Sequence, residues 1–377
     1  MTNLGYPNPS VLFNFFTTRE VIRMEDKYRQ LQLKLDQYSM GFPATDSGIE
    51  IKILRHLFSE DDATMFLSMS PSLTSAADIA SNLNRPEADV EAQLEDMTAR
   101  GLLFRIKKGG LVRYATIPFV HGLFEFQVKD LDPELARMVE IYFDEAFDRT
   151  MMENAEFFLR TIPVNQSIDV NHQVATYDDA VEILKTKSQI VVADCICRKR
   201  KDIFQESCGK TLEACFMFGT MGQYYLDKNM GRAVSLEEAT EILNQCREAG
   251  LVTQPATSQN PSGMCNCCGD CCGVLKALNK HPQPASIVFS NHLAIVDSEE
   301  CTGCESCLER CQMNAISMNT DELAHVNPDR CIGCGLCVSA CPAEAIHLTP
   351  KKETEQRPVP FNTAEQMYAM AKKRGIL

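Results

Sequence analysis

Tryptophan is absent from the 377 residues, and no apolar run approaches the roughly 20 residues that a membrane-crossing helix needs. The opening stretch, MTNLGYPNPSVLFNFF, lacks the basic-then-apolar layout of a secretory leader. No Walker-type lysine loop and no G-x-G-x-x-G after a strand pattern occurs, which removes the commonest nucleotide and flavin sites. Positive charge is in deficit, with a formal net charge of −14, and this argues against a general nucleic-acid binder. Cysteine, by contrast, is abundant at 18 residues. Disulfide frameworks belong to small secreted chains, and this chain is long enough to bury a core without such staples. The expectation is a cytoplasmic protein without membrane insertion, whose reduced thiols hold metal.

The clearest metal signal lies near the C-terminus. Residues 301–311, CTGCESCLERC, space their cysteines as C-x2-C-x2-C-x3-C, and residues 331–342, CIGCGLCVSACP, repeat that spacing. Each run is followed by similar text, QMNAI and PAEAI, so the segment is an internal duplication. A loop curling around a small inorganic cube can direct thiolates onto it from positions three apart. The glycines at 303, 333 and 335 let backbone amides approach the sulfides. Zinc sites more often use two separated C-x2-C knuckles.

Residues 297–349 thereby resemble a bacterial-type ferredoxin domain carrying two 4Fe–4S clusters. The resemblance implies crossed ligation, with Cys301, Cys304, Cys307 and Cys341 around one cluster and Cys331, Cys334, Cys337 and Cys311 around the other. Gln312 stands where that family usually has proline. It alters the local turn and returns one amide donor.

Ten cysteines remain. Cys246 falls on the apolar face of SLEEATEILNQCREAG, a helix pattern opened by Ser235 with Glu238 and closed on Gly250, and reads as a small core residue. The other nine form two knots. Cys195, Cys197, Cys208 and Cys215 come from VVADCICRKRKDIFQESCGKTLEACF; Cys265, Cys267, Cys268, Cys271 and Cys272 come from MCNCCGDCC. They suit two further clusters with one spare thiol, one cluster and a zinc, or one larger centre. Adjacent residues in regular backbone point their Cβ atoms apart. Cys267 and Cys268, like Cys271 and Cys272, are therefore expected to face different neighbours, so that the loop bridges two metal centres. The basic run Arg198-Lys199-Arg200-Lys201 reads equally as a tuning or docking element and as a solvated helix face. His172 and His281 are the histidines considered as further ligands.

The expected fold is α+β and multidomain. A helical extension spans 1–47, a winged helix-turn-helix-like domain 48–118, and a helical linker or arm 119–175. A helical cysteine-rich domain follows at 176–284, then the dicluster ferredoxin domain at 285–350 and a helical tail at 351–377 capped at Thr363. The winged-helix resemblance rests on helix, turn, helix and a hairpin turning at Gly109-Gly110. Its third helix carries Glu87, Asp89, Glu91, Glu95 and Asp96 against Arg100, so protein docking is favoured over DNA reading. The segment from 176 onward also resembles uncharacterised multi-cluster iron–sulfur proteins of anaerobes.

Together these readings predict an electron-transfer protein or subunit of anaerobic metabolism. Two ferredoxin-type clusters would feed one or two central iron–sulfur clusters, with zinc as the alternative central metal. The expected partners are a low-potential donor and an oxidoreductase; a homodimer is compatible, and no catalytic residue is named. The rival reading is a redox-sensing winged-helix regulator.

Overall fold

The computed structural model describes residues 26–164 and 178–376; His172 lies outside them. Helices α1 (Lys27–Asp36), α2 (Ile49–Leu57), α3 (Glu60–Ser68), α4 (Ala76–Leu83) and α5 (Glu87–Ala99) lead into a hairpin, β1 (Phe104–Lys108) and β2 (Leu111–Ala115). Serine caps set the starts of α3 and α4, where the Ser59 and Ser75 side chains accept from the amides of Asp62 and Asp78. The hairpin turns on Gly109 and Gly110, both at positive φ, as a tight two-residue turn requires.

This hairpin packs into the rest of the molecule. Arg105 of β1 is buried and paired with Glu95 at 2.6 Å and Asp227 at 3.2 Å. Tyr224 donates to the Leu103 carbonyl at 2.9 Å and packs on Phe104. The stretch expected as a linker forms α6 (Pro133–Tyr142), a wide turn over 143–147, and α7 (Asp148–Asn154). Phe143, Phe147 and Met151 on it are buried.

The central segment departs from the helical expectation. Its frame is a five-stranded antiparallel sheet of order β5–β3–β4–β7–β6. The strands are β3 (Ile190–Asp194), β4 (Glu213–Phe218), β5 (Gly231–Val234), β6 (Val252–Pro255) and β7 (Gly263–Cys267). LEACFMFGTMGQYYLDKN is apolar and aromatic within a region expected to be helical, but the chain breaks at Gly219, φ +54°, into β4 and helix α10 (Gly219–Asp227). Strands β3 and β4 are buried on both faces, so they carry near-continuous apolar runs instead of the alternation that marks a half-exposed strand.

Helices α8 (Ala180–Lys185) and α11 (Leu236–Glu248) cover one face, burying Cys246 with Ile183, Leu243 and Phe216. The opposite face joins a single apolar core that runs from Leu54 and Tyr142 through Val191 to Ile332 and Leu348. Helices α9 (Ile196–Ile203) and α12 (Gly273–Lys280) follow, and then the C-terminal repeat with its paired strands β8 (His292–Val296) and β9 (Ile346–Pro350). The last helix, α13 (Thr363–Lys373), is capped by Asn362 and not by Thr363. It lies on this chain's own core through buried Met370 and through Gln366, which donates to the Phe157 and Phe158 carbonyls. No helix among the described residues is long and apolar enough to cross a membrane.

Glu140 of α6 ties α9 to α12. It meets Arg200 at 3.1 Å, Lys201 at 2.9 Å and Lys276 at 3.0 Å. Burial pushes its carboxyl up, but the Arg200 charge and hydrogen bonds from both lysines outweigh that and hold it down at about 2, against an ordinary 4.5. A depressed folded-state pKa stabilises above the unfolded value and is lost as pH falls through the folded one, here a difference of about 3 kcal/mol. Glu140→Gln is expected to lower unfolding stability by about that much at neutral pH, with the gap to wild type closing as pH falls below 4.5. Denaturant unfolding across pH checks this; a pH-independent gap would contradict it.

Candidate metal centre

Eight cysteines of the C-terminal repeat form two sets. Cys301, Cys304, Cys307 and Cys341 line one small cavity with Gly303, and Cys311, Cys331, Cys334 and Cys337 line a second with Gly333 and Gly335. The glycines are required by close approach. A Cβ on Gly303 would stand 2.5 Å from the Glu322 carbonyl oxygen, and one on Gly333 would stand 2.3 Å from that of His292; both have positive φ. Backbone amides point at the sulfurs, from Ala315 to Cys311 at 3.2 Å and from Ala294 to Cys331 at 3.5 Å. Burial pushes the Cys334 thiol up to about 12. Such a group gives up its proton only to a cation that replaces it, and an iron–sulfur cluster bound by thiolates meets that requirement.

The nine central thiols separate into six and three. Six line one cavity of about 70 Å³: Cys195, Cys197, Cys215, Cys265, Cys267 and Cys272. Each touches the next around a ring. Cys195 contacts Cys197 and Cys215; Cys265 contacts Cys215 and Cys267; Cys272 contacts Cys197 and Cys267. The sheet sets three of these positions. Cys215 of β4 lies directly across from Cys265 of β7, and Cys267 shares its strand face with Cys265 two residues away.

Two helix N-termini supply the remaining three. Cys195 precedes α9, Cys197 sits in its first turn, and Cys272 precedes α12. The backbone amides of Arg198 and Leu275 donate to the Cys195 and Cys272 sulfurs. Unpaired amides and the partial positive charge of a helix start both favour an anion there. Contacts from Cys197 and Cys215, reinforced by the Arg198 charge, hold Cys195 well below the ordinary thiol range.

The adjacent cysteines diverge. Cys208, Cys268 and Cys271 form a separate trio with all sulfurs within 4.8 Å of one another. Cys267 and Cys272 thus face the six-thiol cavity, while Cys268 and Cys271 face Cys208. Arg198 stands between the groups. It is fully buried, donates to the Asn266 carbonyl at 3.2 Å, and lies 4.0 Å from the Cys268 sulfur. Its Nε and Nη2 have no hydrogen-bond partner. A buried guanidinium with idle donors beside nine thiols fits an anionic cluster whose sulfides accept them. Arg200 is also fully buried, over the Phe143 ring, and Lys201 is nearly so; the solvated-face reading of this basic run does not hold for these three.

Sequence reasoning missed His121 and Glu125. His121, at φ +56°, contacts Cys265 and packs on Phe158, and both residues line the six-thiol cavity and a larger one of about 220 Å³ beside it. The larger cavity is otherwise walled by Phe104, Phe126, Tyr225, Met217 and Met221. Burial raises the Glu125 carboxyl. The signal available was a lone polar pair in the apolar run FVHGLFEF. His281 serves a turn instead, its Nδ1 accepting from the Gln283 amide.

Gln312 joins the two cysteine-rich regions. Its side-chain oxygen accepts from the Gly269 amide at 2.7 Å and its carbonyl accepts from Asn279 at 2.8 Å. A Cβ on Gly269 would stand 2.9 Å from that carbonyl, so glycine is needed for the approach. Proline at 312 has no side-chain acceptor.

Residues 294–348 match the family model of a 4Fe-4S dicluster domain. No curated protein and no solved structure matches the chain. The C-terminal region is therefore an iron–sulfur dicluster domain, and it supports an iron–sulfur electron-transfer role.

Replacing Arg198 by Met keeps the bulk and removes the charge between the thiol groups. A cluster held by the central thiols would then be harder to reduce, by on the order of 60 mV, which for one electron corresponds to a tenfold change in equilibrium. Redox-titrated EPR measures it; an unmoved midpoint would mean that Arg198 does not face the charge.

Proposed function

We propose that the chain takes electrons singly at the Cys301 quartet and passes them through the Cys331 quartet to a polynuclear iron–sulfur centre held by the six central thiols. The observation that carries this is the contact between Gln312 and Gly269. Gln312 directly follows Cys311, and Gly269 lies two residues from Cys267 along the chain. One hydrogen bond and a few covalent bonds therefore link a ligand of the dicluster domain to a ligand of the central cavity.

The direction of flow follows from exposure. Cys304 is the one exposed cysteine of the 18, and the six central thiols are buried or half-buried. Electrons enter at the Cys304 end, where Glu299, Glu300, Glu305 and Glu309 stand exposed, so the low-potential donor presents a basic face. They leave at the central cavity. The apolar cavity beyond His121 and Glu125 is the place for a small acceptor, and in a larger assembly a partner oxidoreductase takes that role.

The helices and hairpin over 48–118, similar in order to a winged helix, act as a docking and packing element. The outer face of α5 carries exposed Glu87, Asp89, Glu91 and Asp96, which phosphate would repel, and its hairpin is tied inward through Arg105.

Gln312→Pro restores the residue usual in dicluster domains and deletes the acceptor for Gly269. Both C-terminal clusters are expected to assemble and to reduce at the wild-type rate, while reduction of the central centre lags several-fold. Freeze-quenched EPR after mixing with an anaerobic reductant resolves the two. Identical time courses in variant and wild type would sink the proposed route.

A further inference from the structure

The trio Cys208, Cys268 and Cys271 is built for a different occupant from the two dicluster quartets, and sulfur spacing is the evidence. Each thiolate of a four-iron cube binds a different iron, which puts the sulfurs roughly 6 Å apart. A single tetrahedral cation with Zn–S bonds of about 2.3 Å instead draws its thiolates to about 3.8 Å from one another. The Cys208 and Cys268 sulfurs are 3.6 Å apart, and all three of the trio lie within 4.8 Å. Among the described residues no other set of three cysteine, histidine or carboxylate ligands meets that spacing. Both quartets of the dicluster domain fall outside it, which is what cube geometry requires, so the same chain supplies an internal contrast.

Local chemistry agrees. Cys268-Gly269-Asp270-Cys271 is a C-x2-C knuckle, the element structural zinc sites use most often. The Cys271 backbone amide donates to the Cys268 sulfur and that of Cys208 to the Cys271 sulfur, an arrangement that keeps close thiolates tolerable once an ion sits among them. Lys210, facing Asp270 at 3.8 Å, and Arg198 place positive charge around the knuckle.

We infer that Cys208, Cys268 and Cys271 bind one zinc ion, with a fourth position open to water, separate from the electron path. Zinc has no accessible second oxidation state here, so it stores no electron. It fastens the 268–271 loop to the segment carrying Cys208. Cys267 and Cys272 flank that loop and line the six-thiol cavity, and Gly269 within it meets Gln312.

Elemental analysis of the full chain, purified without oxygen from zinc-supplied cells, tests this. Wild type is expected to hold one zinc per chain besides its iron. Cys208→Ser, at a half-buried loop position that burdens folding least, is expected to reduce zinc to none. Cobalt supplied in place of zinc is expected to give tetrahedral cobalt–thiolate absorption in wild type and none in the variant. Zinc-free wild type, or a Cys208→Ser protein that keeps its zinc, would overturn the assignment, and the wild-type measurement stands even if the variant fails to fold.

Discussion

Thiolate charge has to be neutralised where water cannot do it, and this requirement organises the molecule. Of the 18 cysteines only Cys304 is exposed. A buried charge without a partner carries a large desolvation penalty, whereas a buried thiolate bound to metal does not. The remedies are visible around the central group: amides at the starts of α9 and α12, the idle guanidinium of Arg198, and the buried cations that Glu140 holds in place. The helix-start amides and the Arg198 guanidinium would favour an anionic centre in the cavity.

The fold turns that local condition into an order of sites. Three sheet positions and two helix starts converge on one cavity, which is why the knot of cysteines in the sequence becomes a ring in space. The loop between Cys267 and Cys272 looks outward to Cys208 and, through Gly269, to the dicluster domain. A residue that departs from the usual dicluster pattern, Gln312, is the one that makes this junction.

The sequence was most informative where spacing is chemistry. The paired cysteine runs announced a dicluster domain that the family match places at residues 294–348, and the glycines at 303 and 333 sit where only hydrogen fits. Cys246 lies buried in the face of α11 that its helical stripe indicated. The central sheet was hidden because β3 and β4 are short and buried on both sides, leaving no alternation to read, and because the Gly219 break lies inside an apolar run. His121 and Glu125 were hidden for another reason: only tertiary folding brings positions 121 and 125 to Cys265, 140 or more residues away, and no local pattern encodes that meeting. The cap of the final helix slipped by one residue, from Thr363 to Asn362, within the ordinary uncertainty of helix ends.

Iron and acid-labile sulfide counted per chain, on folded protein prepared without oxygen, test the central claim most directly. Two cubes supply roughly eight irons, so a loaded six-thiol cavity takes the total to roughly twelve or more. Eight irons in fully folded protein, with the central thiols free to react with alkylating agents, would contradict the account.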